Sequence, residues 1–178
     1  MKHSILFVLS LSLATATLHA QAPRESSASA VGTLESLWKP ITGYITTAAE
    51  EVPESTYAYR PTPDVRTFGQ LIGHIAGAQQ LICAAALGER GGAEDEIERT
   101  RTSKADLVAA LKASTKYCAR AYAQTDAAAR QPTRLFGQER SRLFALGLNA
   151  THNGEHYGNI VTYLRLNGIV PPSSRQGP

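Results

Sequence analysis

His152 and His156 stand four residues apart in the run Asn149–Gly168 (NATHNGEHYGNIVTYLRLNG). A helix would stack them one turn apart on a single face. The run reads as a helix because its apolar residues recur at three- and four-residue steps, without strand-like alternation. At about 100° per residue, Asn149, Asn159 and Tyr163 fall within roughly 60° of His152. The natural buried stripe, drawn through Ala145, Leu148, Ile160 and Leu166, therefore carries two imidazoles, two amides and a phenol. Buried polar groups are costly unless something satisfies them. A metal ion is the most economical way to do so.

A third imidazole, His74, lies in the apolar stripe Leu71, His74, Ile75, Ala78, Leu81, Ile82, Ala85 and so faces inward on another helix. Three histidines are a common ligand set for zinc and similar ions. An HxxxH pair plus one His from elsewhere closes one face of the ion and leaves the rest to water or substrate. That open position is what a catalytic metal needs, whereas structural zinc is closed. The alternative is three core imidazoles satisfied by Asn149, Asn159 and water, with no metal. Glu155, on the flank of the same face, is either a base or ligand-orienting group or a solvated helix carboxylate. Tyr163 is either a substrate contact or a cap on the core. HNGEH is not the HExxH of metalloproteases, in which the carboxylate directly follows the first His.

Positioning these residues takes four helices. The first is expected over about Val31–Glu51, with Leu34, Trp38, Ile41, Ile45 and Ala48 inward and a kink at Pro40. Val52–Val65, with three prolines, is a connection. The second helix runs from near Arg66 or Thr67 to about Leu87. Gly88–Thr102 (GERGGAEDEIERTRT) is a charged loop whose fifteen residues can span a short bundle, so the third helix need not run antiparallel to the second. Ser103 and Asp106 resemble a capping box for that third helix, which ends near Thr125. Asp126–Arg140 reads as a loop broken by Pro132 and Gly137. The fourth helix spans about Ser141–Asn167 and stops at Gly168. Residues 171–178 read as a loose tail. The class is all-α, a four-helix bundle over residues 31–170.

Gly147, Ala150, Gly154, Gly158 and Val161 line the opposite side of the last helix. Each Gly costs about 1 kcal/mol against Ala, so a close-packed neighbour is expected there, either the first helix or a second subunit. Cys83 and Cys118 are the only cysteines; pairing them requires the second and third helices to lie side by side in parallel.

The chain, 178 residues long, is the size of one domain. Its formal charge of +3 becomes +2 without the first 20 residues, which hold Lys2 and no acid. That weak, scattered charge does not suggest nucleic-acid binding. Met1–Ala20, with Lys2 ahead of the apolar ILFVLSLSL, reads as a secretory signal peptide cut before Gln21, or alternatively as an uncleaved N-terminal anchor. Cleavage would remove His3 and His19, make residues 21–30 a polar flexible lead-in, and leave a periplasmic or secreted protein with no membrane segment.

Two stretches, RPTPDVRTFGQLIGHIAGAQ (Arg60–Gln79) and HNGEHYGNIVTYLRLNGIVPP (His152–Pro172), resemble the DinB/YfiT-like family. The resemblance implies a four-helix bundle with a long crossover between helices two and three, His74, His152 and His156 as ligands of one divalent ion, and frequent homodimers. Where the family often has a second His before the last ligand, this chain has Glu155. Where it often has Arg-Gly-Gln after that ligand, this chain has Tyr157-Gly158-Asn159. Some relatives look like transferases using a cytoplasmic thiol, which an exported protein would not readily meet. The expectation is an exported metal-dependent enzyme of hydrolase or thiol-transferase type, holding Zn²⁺ or Ni²⁺ and acting on a small molecule, with Glu155 and Tyr163 as candidate catalytic residues. A non-catalytic metal- or partner-binding bundle is the alternative.

Overall fold

A computed structural model describes residues 29–175; the expected signal peptide, its expected cut before Gln21 and most of the expected lead-in lie outside them. Four long helices build the bundle: α1 (Ala30–Glu51), α2 (Phe68–Leu87), α4 (Lys104–Tyr122) and α6 (Arg142–Leu166). Two short ones, α3 (Glu96–Thr100) and α5 (Asp126–Ala129), sit in the connections.

Local chemistry sets the helix ends. Ser29, Ser103 and Ser141 each accept a backbone N–H of the first turn, and Thr67 with Gln70 forms a reciprocal capping box at the start of α2. Gly88 ends α2 in the left-handed conformation, φ 75°, where a Cβ would be penalised. α1 runs unbroken through Pro40. At the Ser103 cap, Asp106 meets the serine hydroxyl at 2.8 Å.

Helix directions follow from the side-chain ladders. Gln79 donates to Ser114 and Thr115, Cys83 is disulfide-bonded to Cys118, and the Gln124 amide donates to the Ala86 carbonyl. Both numbers rise together, so α2 and α4 run in parallel. Arg66 with Tyr163, His74 with His156, and Gln79 with Asn153 give α2 and α6 the opposite sense. A parallel neighbour demands a connection that returns along the bundle, and residues 88–103 provide it. α2 is the central helix: it is long and apolar enough to cross a membrane, yet 78% of that stretch is buried inside the bundle. Its apolar atoms meet Ile45, Leu107, Leu111 and Ile160 at one end and Trp38, Ala121 and Leu146 at the other.

Several expectations are corrected. Asp126–Arg140 is not all loop: after α5, Pro132–Leu135 (β1) pairs antiparallel with Gln138–Ser141 (β2) around Phe136-Gly137, both at positive φ. Two such residues twist a two-residue hairpin turn correctly, and four-residue strands are too short to show a period. α4 stops at Tyr122 because Thr125 begins a new cap for α5. Leu166 is 60% exposed; it lies six residues and about 240° beyond Ile160, and Leu164 continues the stripe instead. Within this chain the first helix does not pack tightly on the small-residue strip: a Cβ on Gly147 would reach only Leu34 at 4.0 Å, and one on Gly154 or Gly158 would meet nothing. Pro171–Arg175 is tied down rather than loose, through Tyr157 with Ser173 and Arg175 with Glu51.

Candidate metal centre

α2 and α6 bring the three imidazoles to one point. The Nε2 atoms form a nearly equilateral triangle: His74 to His156 3.1 Å, His74 to His152 3.2 Å and His152 to His156 3.0 Å. Among the described residues, they form the group whose ligand atoms close within 4.8 Å. The i,i+4 pair comes from α6 by helical geometry alone, while His74 arrives from 78 residues away because α2 packs antiparallel on α6.

No proton arrangement of neutral rings satisfies this triangle. Each Nε2 is either a donor or an acceptor. Among three atoms in mutual contact, two must share a role and face each other lone pair to lone pair or hydrogen to hydrogen. Charging the rings makes matters worse, and the site resists it. Burial, then the Arg66 guanidinium and His152, hold His74 down at about 4. Burial, then His152, His74 and Arg66, hold His156 at about 3. His152 is lowered too, chiefly by burial. Three neutral rings protonated on Nδ1 instead aim three lone pairs at one point, the requirement of a cation. At a zinc–nitrogen distance of about 2.0–2.1 Å, edges of this length subtend about 90–105°, between octahedral and tetrahedral values. The residues present fit a divalent ion.

Binding through Nε2 leaves three Nδ1–H groups to be satisfied. The Asn159 amide lies 3.3 Å from His156 Nδ1, and turning that amide over presents its oxygen as acceptor. Glu98 Oε2 lies 3.8 Å from His74 Nδ1, and Glu98 also takes the Arg66 Nε–H at 3.0 Å. Buried His152 Nδ1 makes no hydrogen bond of normal geometry among the described residues, although the adjacent Asn153 side chain raises its pKa against the effect of burial. On the other side of His74, Glu94 Oε1 is 4.0 Å from Nε2.

A pocket of about 690 Å³ opens beside the triangle, with His156, Glu155, Asn159, Tyr163, Arg66 and Glu98 in its wall. Glu155 is exposed there and pulls His152 upward in pKa, against the effect of burial. The Tyr163 hydroxyl is committed, donating to the Arg66 carbonyl at 2.6 Å, so it braces the loop that carries Arg66. Asn149, on the histidine face by the helical wheel, is not at the site: its amide donates to Tyr122 and approaches the Cys118 sulfur. Glu94, Glu98 and Asn153 escaped the sequence reading. The two glutamates sit four apart in a charged loop, a pattern indistinguishable from a solvated surface.

Fold and site together define a helical bundle built around a three-histidine, metal-competent cluster with an adjoining polar pocket. The sequence pattern of the DinB superfamily matches residues 42–160, and the chain belongs to that superfamily. No curated protein matches it in sequence. Solved structures share the fold: a DinB-like protein from Bacillus cereus has 17% identity and a TM-score of 0.68, with 79% of this chain and 95% of that one covered. YjoA, a DinB-like protein from Bacillus subtilis, has 19% identity and a TM-score of 0.64 (82% and 99% covered). YfiT from Bacillus subtilis, described as a probable metal-dependent hydrolase with an unusual four-helix bundle topology, has 17% identity and a TM-score of 0.60 (83% and 94% covered).

Proposed function

We propose that this chain is an exported metal-dependent enzyme in which His74, His152 and His156 hold one Zn²⁺ or Ni²⁺ ion. The observation that carries the reading is the Nε2 triangle of 3.0–3.2 Å edges, which three lone pairs on a cation satisfy and no set of protons does. A bound ion would lower the pKa of a water or thiol at its open position and so supply a nucleophile near neutral pH. The adjoining pocket is sized for a small molecule, and Glu155 and Asn159 in its wall offer acceptor and donor groups to a substrate or to a proton in transit. Tyr163 contributes by holding Arg66 in place. The description of YfiT as a probable metal-dependent hydrolase favours hydrolysis over thiol transfer. Export is supported by the Cys83–Cys118 disulfide, a bond that persists in oxidising compartments.

Elemental analysis of the purified mature protein tests the metal site. About one ion per chain is expected, lost in both His74→Ala and His156→Ala. Metal content unchanged by either substitution sinks the reading. Turnover of small ester and amide substrates by the loaded protein, abolished by a chelator, separates an enzyme from a non-catalytic metal binder. Protein recovered from the cell envelope is expected to begin at Gln21, and Met1 on cytoplasmic protein would contradict export.

A further inference from the structure

Resting on the three-histidine reading, we propose that Glu98 is a positioning residue of the metal centre, delivered to His74 by the crossover between α2 and α4. That crossover lies directly on α2, and two glycines let it do so. A Cβ on Gly73 would come within 2.8 Å of the Glu98 Cα, and one on Gly77 within 2.0 Å of the Glu94 carbonyl oxygen. Gly73 and Gly77 flank His74 in the sequence one turn apart, so the backbone of residues 94–98 is pressed onto α2 beside the imidazole. Ile97, buried in the main core, anchors the segment from below. Arg66 anchors it from outside, its Nε–H reaching both oxygens of Glu98 at 3.0 and 3.1 Å.

The segment therefore sets a carboxylate, only 14% exposed, 3.8 Å from His74 Nδ1. This is the geometry of a carboxylate–histidine–metal relay at slightly long range. A carboxylate accepting the Nδ1–H fixes the tautomer that frees Nε2, orients the ring and raises its basicity. A bound ion would make that Nδ1–H a stronger donor and would draw the contact toward hydrogen-bond length, as site contacts that are long in a free protein commonly do. The other two ligands have weaker support, an amide for His156 and, for His152, the Asn153 side chain without a hydrogen bond of normal geometry. Glu98 thus compensates for the ligand that must cross from a different helix. The crossover also becomes linked to metal occupancy: what seats the segment strengthens the ion's hold, and the ion seats the segment.

The test measures zinc affinity by competition with a chromophoric chelator for the wild type, Glu98→Ala and Glu98→Gln. Wild type binds one ion per chain. Glu98→Ala is expected to bind about 10–100-fold more weakly. Glu98→Gln, nearly the same shape and still offering an acceptor oxygen, folds normally and falls between the two. ¹⁵N-imidazole spectra of the zinc-loaded wild type show His74 as the Nδ1–H tautomer, with that proton exchanging faster in Glu98→Ala. Binding by both variants within twofold of a metal-loaded wild type overturns the proposal, as does an equal loss in Asp64→Asn, a carboxylate of the same pocket wall, which would reduce the effect to general charge. A wild type that binds neither zinc nor nickel instead refutes the three-histidine reading itself, so the two failures are distinguishable.

Discussion

Replacing Gly77 and Gly154 by alanine, one at a time, makes the same chemical change in the interiors of two helices, and the structure assigns a gain in stability to the second alone. Ala is favoured over Gly by about 1 kcal/mol inside a helix. At Gly154 nothing lies within 4 Å of the added methyl, so that gain is realised in full. Gly154→Ala is expected to raise Tm by about 2–4 °C for a chain of this size. At Gly77 the new Cβ would stand 2.0 Å from the Glu94 carbonyl oxygen, where ordinary contact begins near 3.4 Å. The crossover backbone must retreat by more than 1 Å, because a carbonyl cannot swing aside as a flexible side chain does. Overpacking costs about 1–3 kcal/mol, which offsets or exceeds the helix gain. Gly77→Ala is therefore expected to be neutral to about 2 kcal/mol destabilising. It also weakens zinc binding, since Glu98 is carried away with the segment. Thermal melts followed by circular dichroism, with chelator and again with zinc, read both effects. A Gly77→Ala protein that melts as high as Gly154→Ala and binds zinc normally would refute the packing argument. A destabilised Gly154→Ala protein would show that something covers that face of α6.

Two further outcomes follow from buried groups. Reducing the Cys83–Cys118 disulfide, or replacing both cysteines by alanine, opens a loop of 35 residues' separation. Chain entropy then puts the loss at about 3.8 kcal/mol, to be read as a lowered urea midpoint; an unchanged midpoint would refute the estimate. For the metal-free protein, His74 and His156 titrate at about 4 and about 3 in the fold, against 6.5 for the ordinary side chain. As pH falls below 6.5 the unfolded chain takes up protons first, so folding is fully supported above that value and weakens through the window down to about 4 and 3. Urea titrations between neutral pH and about pH 5 are expected to show this loss, with a shallower fall in His74→Ala. A flat profile would mean that the rings are not held neutral.

The sequence alone settles what is local. Spacing of four in His152-Asn153-Gly154-Glu155-His156 puts two imidazoles on one face of any helix that forms there, because 3.6 residues make a turn. The inward facing of His74, the Ser103 cap and the end of the second helix near Leu87 were legible for the same reason: each depends on neighbours within one helical turn. Length and the charged connection after α2 even allowed the parallel arrangement that the disulfide requires. Only tertiary packing decided which polar residues share a site. Asn149 lies on the histidine face by the wheel, yet the approach of α4 gives it to Tyr122 and the disulfide. Glu94 and Glu98 resemble any solvated charges until the crossover settles on Gly73 and Gly77, glycines whose purpose is a backbone 25 and 17 residues away. A helix's own geometry reaches about one turn; which groups meet beyond that depends on how apolar faces are buried against each other. That choice belongs to the whole chain at once.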